Sequence, residues 1–177
     1  MTRPLSDLTF KAAEASDAPA VTALINRAYR GESSRAGWTT EADLLIGLRI
    51  DEVGIHTVLN DPLSLLLLAV DAGTIVASIH GHLESDGVHF GLFAVEPVLQ
   101  GRGVGKKLLK AAESAVKDHW GVTTAIMEVI PLRHELIRFY ERHGYGRTGE
   151  TLPFPVSPLW EPRGPELELA VLKKRLV

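Results

Sequence analysis

The chain has 177 residues, enough for one domain with a sizeable core, and 45% of them are hydrophobic, which excludes a disordered tail. The formal net charge is -3 with no large basic block, which argues against sequence-independent nucleic-acid binding. Cysteine is absent, so disulfides, thiolate zinc sites and cysteine nucleophiles are ruled out.

Met1 to Phe10 lacks an apolar core of signal-peptide length. The longest apolar run, Leu65 to Val70, is too short to span a bilayer. A soluble cytoplasmic protein without a membrane partner is expected, with 1–177 as a single domain.

Leu8 to Glu14 reads as a first strand. Ser16-Asp17-Ala18-Pro19 then starts a helix, with a capping residue and a proline in the first turn. Ala20, Val21, Leu24, Ile25 and Ala28 follow at helical spacing. After Gly31 to Gly37, the stretch from Trp38 predicts a second helix to about Asp51, with Thr40 and Asp43 as a weak capping box. Residues 52–60 are expected to add a helical turn, and Asn60-Asp61-Pro62 turns the chain.

Three strands come next. Leu63 to Val70 is solidly apolar and reads as a central strand. Asp71-Ala72-Gly73 leads into Thr74 to Glu84, and Asp86-Gly87 into Val88 to Val95. Pro97 ends that strand. A helix runs to about His119, a β-branched strand spans Val122 to Ile130, and Pro131 opens a helix ending at Gly144. Tyr145 to Thr151 and Glu166 to Lys173 read as two last strands. Between them, Leu152 to Pro165 holds five prolines and Trp160. It is either a rigid surface connection or a loop bordering a binding mouth.

The most informative stretch is Gln100-Gly101-Arg102-Gly103-Val104-Gly105-Lys106, between strand and helix. Its glycines free the backbone, and its N–H groups face one spot at a helix N-terminus, which is a ready anion site. Arg102, Lys106, Lys107 and Lys110 add positive charge. A phosphate-bearing ligand is expected. The spacing fails the P-loop pattern, since Gln100 stands five before Gly105 and Lys107 follows Lys106. It fails the dinucleotide fingerprint too, since Lys106 stands three after Gly103.

Gln-x-x-Gly-x-Gly after an apolar strand resembles the acyl-CoA loop of the GCN5-related N-acetyltransferase (GNAT) superfamily. The element order β-α-α-β-β-β-α-β-α-β-β resembles that superfamily along nearly the whole chain, and Tyr140-Glu141-Arg142-His143-Gly144-Tyr145 resembles its Tyr-x-x-x-Gly-[Phe/Tyr] helix end. The resemblance implies an α/β acyl-CoA N-acyltransferase fold: a mixed, mostly antiparallel sheet of about seven strands with about four helices, splayed between 88–95 and 122–130. It implies acetyl-CoA as co-substrate, with Phe93, Ala94 and Val95 on the pantetheine, and Gln100, Gly101, Arg102, Gly103, Val104, Gly105 and Lys106 on the pyrophosphate. Arg133 stands where the family often has asparagine, and is assigned to the coenzyme. Leu136 stands where alanine is common.

Transfer to an amine needs a base, a donor for the thioester oxygen and a proton for the leaving thiolate. The resemblance implies Tyr140 as the donor near the sulfur. Some family members carry a catalytic glutamate six residues before the valine that ends the strand, which points here to His89. A two-residue Asp86-Gly87 turn would set Glu84 opposite His89, so Glu84 could orient it. Alternation would place His80, His82, Glu84 and His89 on one face. Histidine titrates near neutrality and suits base work, directly or through water. A metal held by His80, His82 and His89 is a rival reading, but no metal is assigned. By the same resemblance the region from Arg35 to Arg49 walls the acceptor site, with Trp38, Glu41 and Arg49 as candidates; Glu41 could hold an ammonium and Arg49 a carboxylate. The expected activity is N-acetyl transfer to a primary amine of a small molecule, by direct transfer in a ternary complex. A non-catalytic acyl-CoA-binding module and a protein or peptide acetyltransferase are the alternatives. The protein is expected to be a monomer or homodimer.

Overall fold

The run Leu65 to Val70 is apolar at every position because both of its faces are covered. In the computed structural model, which describes residue 5 and residues 7–177, it lies inside strand β3 (Ser64–Asp71). Leu66 and Leu68 point to one face, and Leu67 and Ala69 to the other. Of the stretch Met1 to Phe10, residues 1 to 4 and 6 lie outside the described residues.

The other strands follow the sequence reading closely. They are β1 (Leu8–Ala12), β4 (Thr74–Glu84), β5 (Gly87–Val95), β6 (Thr124–Val129), β7 (Gly146–Pro153) and β9 (Glu168–Arg175). With β3 they form one seven-stranded sheet in the order β1-β3-β4-β5-β6-β9-β7. Every neighbouring pair is antiparallel except β5 and β6. This is the mixed GNAT-type sheet that the sequence predicts.

Helices cover both faces. Helix α1 (Ala18–Tyr29) buries Val21, Ile25 and Ala28 against Leu66, Leu68, Leu92 and Ala94. Helix α4 (Val104–Trp120) buries Leu108, Leu109, Ala112 and Val116 on the opposite face, and Ile137 and Tyr140 of α5 (His134–Arg142) join it there. A short α2 (Gly31–Ser34) follows α1. Among the described residues no helix is long and apolar enough to cross a membrane.

The second helix is the main correction. No helix occupies 38–51. The Thr40 hydroxyl contacts Ser34 and accepts from the Ala42 N–H, while Arg35 takes the Asp43 carboxylate, so the capping box does not form. Leu45–Gly47 is instead a short strand, β2, paired with β8 (Trp160–Pro162) from the proline-rich segment. The helix lies later, as α3 (Glu52–Asn60), where the Asp51 carboxylate accepts the Gly54 N–H at 2.8 Å.

The hairpin is also shifted by one. Glu84 pairs with Gly87 and His82 with His89, so the turn residues are Ser85 and Asp86.

One irregularity shapes the site. The β4–β5 register slips between Ser78 and His80, and Leu92 takes a positive φ of 45°, unusual for a branched residue. The buried Ser78 hydroxyl donates to the Leu92 carbonyl at 2.9 Å and holds the bulge. Beyond it β5 bends away. Its pairing with β6 runs only from Val88 to Phe90, opposite Ala125 to Met127. The sheet therefore opens between residues 91–95 and the end of β6.

Candidate active site

A groove of about 620 Å³ lies over this opening. Phe93 and Val95 of β5, the glycine loop, and Leu136, Arg138, Phe139, Arg142 and His143 of α5 line it. Gly101 and Gly103 have φ of 77° and 82°, which only glycine adopts cheaply, and a Cβ on either would meet nothing within 4 Å. The loop thus presents bare backbone to open space. Gly103 caps α4 without any side-chain bond to the first-turn amides. Lys106, Arg138 and Arg142 line the same groove. Free amides at a helix N-terminus, nearby cations and an apolar floor suit a long thiol ester with a pyrophosphate.

Several expected coenzyme residues take other parts. The Val104 and Ala94 side chains are buried in the core, so only their backbone can face the groove. Arg102 is absent from the groove lining. The Gln100 carboxamide is a bracket: its Oε1 accepts the Trp38 N–H at 2.9 Å and its Nε2 donates to the Val95 carbonyl at 3.2 Å. Arg133 leaves the coenzyme set. It is buried, donating to Glu41 Oε1 at 2.9 Å and to Thr39 Oγ1 at 2.8 Å.

A second cavity, of about 170 Å³, lies on the other side of the opening. The two cavities share Phe93 and Leu136, and Tyr140 lines the second. Burial pushes the Tyr140 phenol well above its ordinary pKa, so it stays protonated. Tyr29, which burial also raises, stands beside it.

The proline-rich segment borders this cavity through Phe154, Pro155 and Trp160. Arg49 lines it too, its guanidinium 5.4 Å from the Tyr29 ring and 5.6 Å from the Trp160 ring. Trp38 does not; it faces the first groove and packs on Phe139 at 5.8 Å. Glu41 lines the cavity, yet both its oxygens are spent, on Arg30 at 3.0 Å and Arg133 at 2.9 Å. It therefore does not offer a free carboxylate to an ammonium.

His89 is corrected as well. Its Nδ1 bonds Glu128 at 3.0 Å and its Nε2 bonds Asp86 at 2.9 Å, while Glu84 stands 3.8 Å away. Burial opposes its charge, but the hydrogen bonds to Asp86 and Glu128 and the charge of Glu84 prevail, and its pKa is raised. Both ring nitrogens are committed and neither faces the cavity, whereas Glu128 lines it. The orienting part given to Glu84 falls to Asp86 and Glu128. Among the described residues the three histidines do not gather into one ligand set, and His89 groups instead with Glu84 and Asp86. His80 bonds Ser64 Oγ at 2.8 Å, and burial first, then the neighbouring His82, lowers its pKa to about 4.

Tyr29, Arg30 and Glu128 escaped the sequence reading because the end of α1 and β6 bring them together only in the fold, whereas Trp160 lies in the segment read as a loop bordering a binding mouth. The groove face of α5 was readable: Glu135, Arg138 or Phe139, and Arg142 or His143 recur at helical spacing beside Tyr140.

The model of the acetyltransferase (GNAT) family matches residues 19–145. Among solved structures, the ribosomal-protein-S18-alanine N-acetyltransferase from Escherichia coli is similar over 96% of this chain and 94% of its own, with TM-score 0.71 and 17% identity. The putative acetyltransferase yncA from Salmonella typhimurium, solved with its cofactor acetyl-CoA, is similar over 97% and 95%, with TM-score 0.67 and 18% identity. A variant of the spermidine N-acetyltransferase SpeG from Vibrio cholerae is similar over 96% and 94%, with TM-score 0.70 and 14% identity. No curated protein matches the chain in sequence.

Proposed function

The chain belongs to the acetyltransferase (GNAT) family, and from that premise we propose that it transfers acetyl from acetyl-CoA to a primary amine of a small molecule, directly, in a ternary complex. The observation that carries the reading is the meeting of the two cavities at Phe93 and Leu136, beside Tyr140. The first groove suits the coenzyme and the second an acceptor headgroup. Its volume of about 170 Å³ equals roughly six waters at liquid density.

The amine nitrogen bonds the acetyl carbon, the carbon–sulfur bond breaks, and the nitrogen loses a proton. Glu128 collects that proton, directly or through water, and His89 positions Glu128. Tyr140 hydrogen-bonds the departing sulfur. A thiol of ordinary pKa, about 8.5, is a stronger acid than a phenol raised by burial, so Tyr140 stabilises the thiolate by its hydrogen bond more than by full proton transfer. With no cysteine in the chain, the acyl group passes to the amine without a cysteinyl intermediate.

The test is thiol release from acetyl-CoA against a panel of amino acids, aromatic amines, polyamines, aminoglycosides and peptides. Release with at least one small amine, well above background hydrolysis, is expected. Coenzyme binding without release for any amine would make the protein a binding module.

A further inference from the structure

The walls of the acceptor cavity carry more positive charge than they neutralise. Three guanidiniums, those of Arg30, Arg49 and Arg133, face it beside two carboxylates, Glu41 and Glu128. Glu41 is shared between Arg30 and Arg133. Glu128 is held by His89.

Arg30 is 5% exposed and spends its Nε on Glu41, but its Nη1 is buried without a hydrogen-bond partner. Arg49 pairs with no carboxylate among the described residues and lies between the Tyr29 and Trp160 rings. The Arg30 guanidinium is 5.7 Å from the same Trp160 ring, so one indole spans both cations. A buried, unpaired donor on a charged group is costly to leave unmade. Two guanidinium forks on one indole, the buried one of Arg30 and the half-buried one of Arg49, suit a planar, bidentate anion. A polyamine headgroup would meet like charge there instead.

We propose that the acceptor amine also carries a carboxylate, as a small amino acid does, and that Arg49 and Arg30 hold that carboxylate beneath Trp160. The inference rests on the transferase reading above and narrows it. The acid lies at the Trp160 wall, and the amine at the end shared with the coenzyme groove, near Tyr140. The cavity of about 170 Å³ admits a headgroup of amino-acid size.

The experiment pairs each small amino acid with its carboxamide and its decarboxylated amine, in thiol release with acetyl-CoA. The acid should exceed both partners at least tenfold in kcat/KM, chiefly through KM, since a carboxylate grip acts on bound substrate and transition state alike. Arg49→Gln should collapse that ratio towards one, and Arg49→Lys should restore part of it. The coenzyme dissociation constant, measured beside each variant, should move less than twofold and reports that the fold holds. Equal rates for acid and carboxamide, or faster turnover of a polyamine or a peptide, would overturn the proposal. If no amine releases thiol, the transferase reading has failed, and calorimetry of the same amino acids with the coenzyme-loaded protein decides the anion site. Binding that Arg49→Gln removes sustains the site; absence of binding by every amino acid overturns it.

Discussion

Gln100 and Trp38 are joined by a 2.9 Å hydrogen bond that crosses from the glycine loop to the chain after α2. Gly37 makes the contact possible, because a Cβ there would come within 2.2 Å of the Gln100 carboxamide oxygen. Gln100→Ala should cost about 1–2 kcal/mol, from two lost hydrogen bonds. Gly37→Ala should cost a similar amount by evicting the same carboxamide. The double variant should cost little more than either alone, as coupled neighbours do. Urea unfolding of the four proteins checks this; strictly additive losses would show that the bracket is not one unit.

Gly103 tests the anion site. Gly103→Val puts a branched side chain on a residue with φ of 82°, where the loop faces open space. Coenzyme affinity should fall at least tenfold, about 1.4 kcal/mol. Calorimetric titration with acetyl-CoA measures it, beside the melting temperature of the free protein. Unchanged affinity would reduce the loop to a plain turn.

Tyr140→Phe removes one oxygen from a ring packed among Phe93, Phe139 and Tyr145. Turnover at saturating acetyl-CoA should drop about 10- to 10³-fold, or ~1.4 to 4 kcal/mol in the barrier. The coenzyme dissociation constant should barely move. Because the phenol is raised well above its ordinary value, no loss of activity from its ionisation should appear below about pH 10. Retained turnover with weakened coenzyme binding would make Tyr140 a packing residue.

The His89–Glu128 pair predicts two separable effects. Glu128→Gln should lower turnover by about 10²-fold, the range of a general base. His89→Gln should leave more activity and displace the pH–rate profile. His89 has a folded pKa above its ordinary 6.5, so its charged contacts stabilise the fold fully below pH 6.5 and fade as pH rises through the raised value. The stability gap between His89→Gln and parent should therefore be larger at pH 6 than at pH 9. Chemical denaturation at both pH values measures it, and a constant gap would deny the charged contacts.

Glu41 predicts a loss of stability rather than of affinity. Glu41→Gln leaves two buried guanidiniums facing a neutral amide. Breaking a buried ionic cluster by one partner costs about 3–5 kcal/mol. A stable variant with a raised acceptor KM would instead return Glu41 to the role of ammonium ligand.

What the sequence reveals here is what local chemistry decides. The run at Leu65–Val70, the glycines at 101 and 103, and the apolar spacing of α1 and α4 each report on their own neighbours, and the sheet follows from them. The stretch from Trp38 to Asp51 misleads because its helical spacing competes with a distant partner. Gly47 at φ 101° packs its backbone on Leu159, a contact with no local signature. His89 misleads through one residue of turn register, which brings Asp86 within reach. Arg133 reads as a coenzyme contact, and only the fold shows Glu41 waiting 92 positions earlier in the chain.

The short β5–β6 pairing makes the sheet two unequal plates, β1-β3-β4-β5 and β6-β9-β7, joined by a seam of three residue pairs. A seam so brief is a mechanical weak line. A coenzyme that fills the gap beyond it would bond to both plates and serve as a brace. Binding would then register far from the groove, as slower amide exchange along β6 and the far end of β5, and as a rise in the force needed to part the plates.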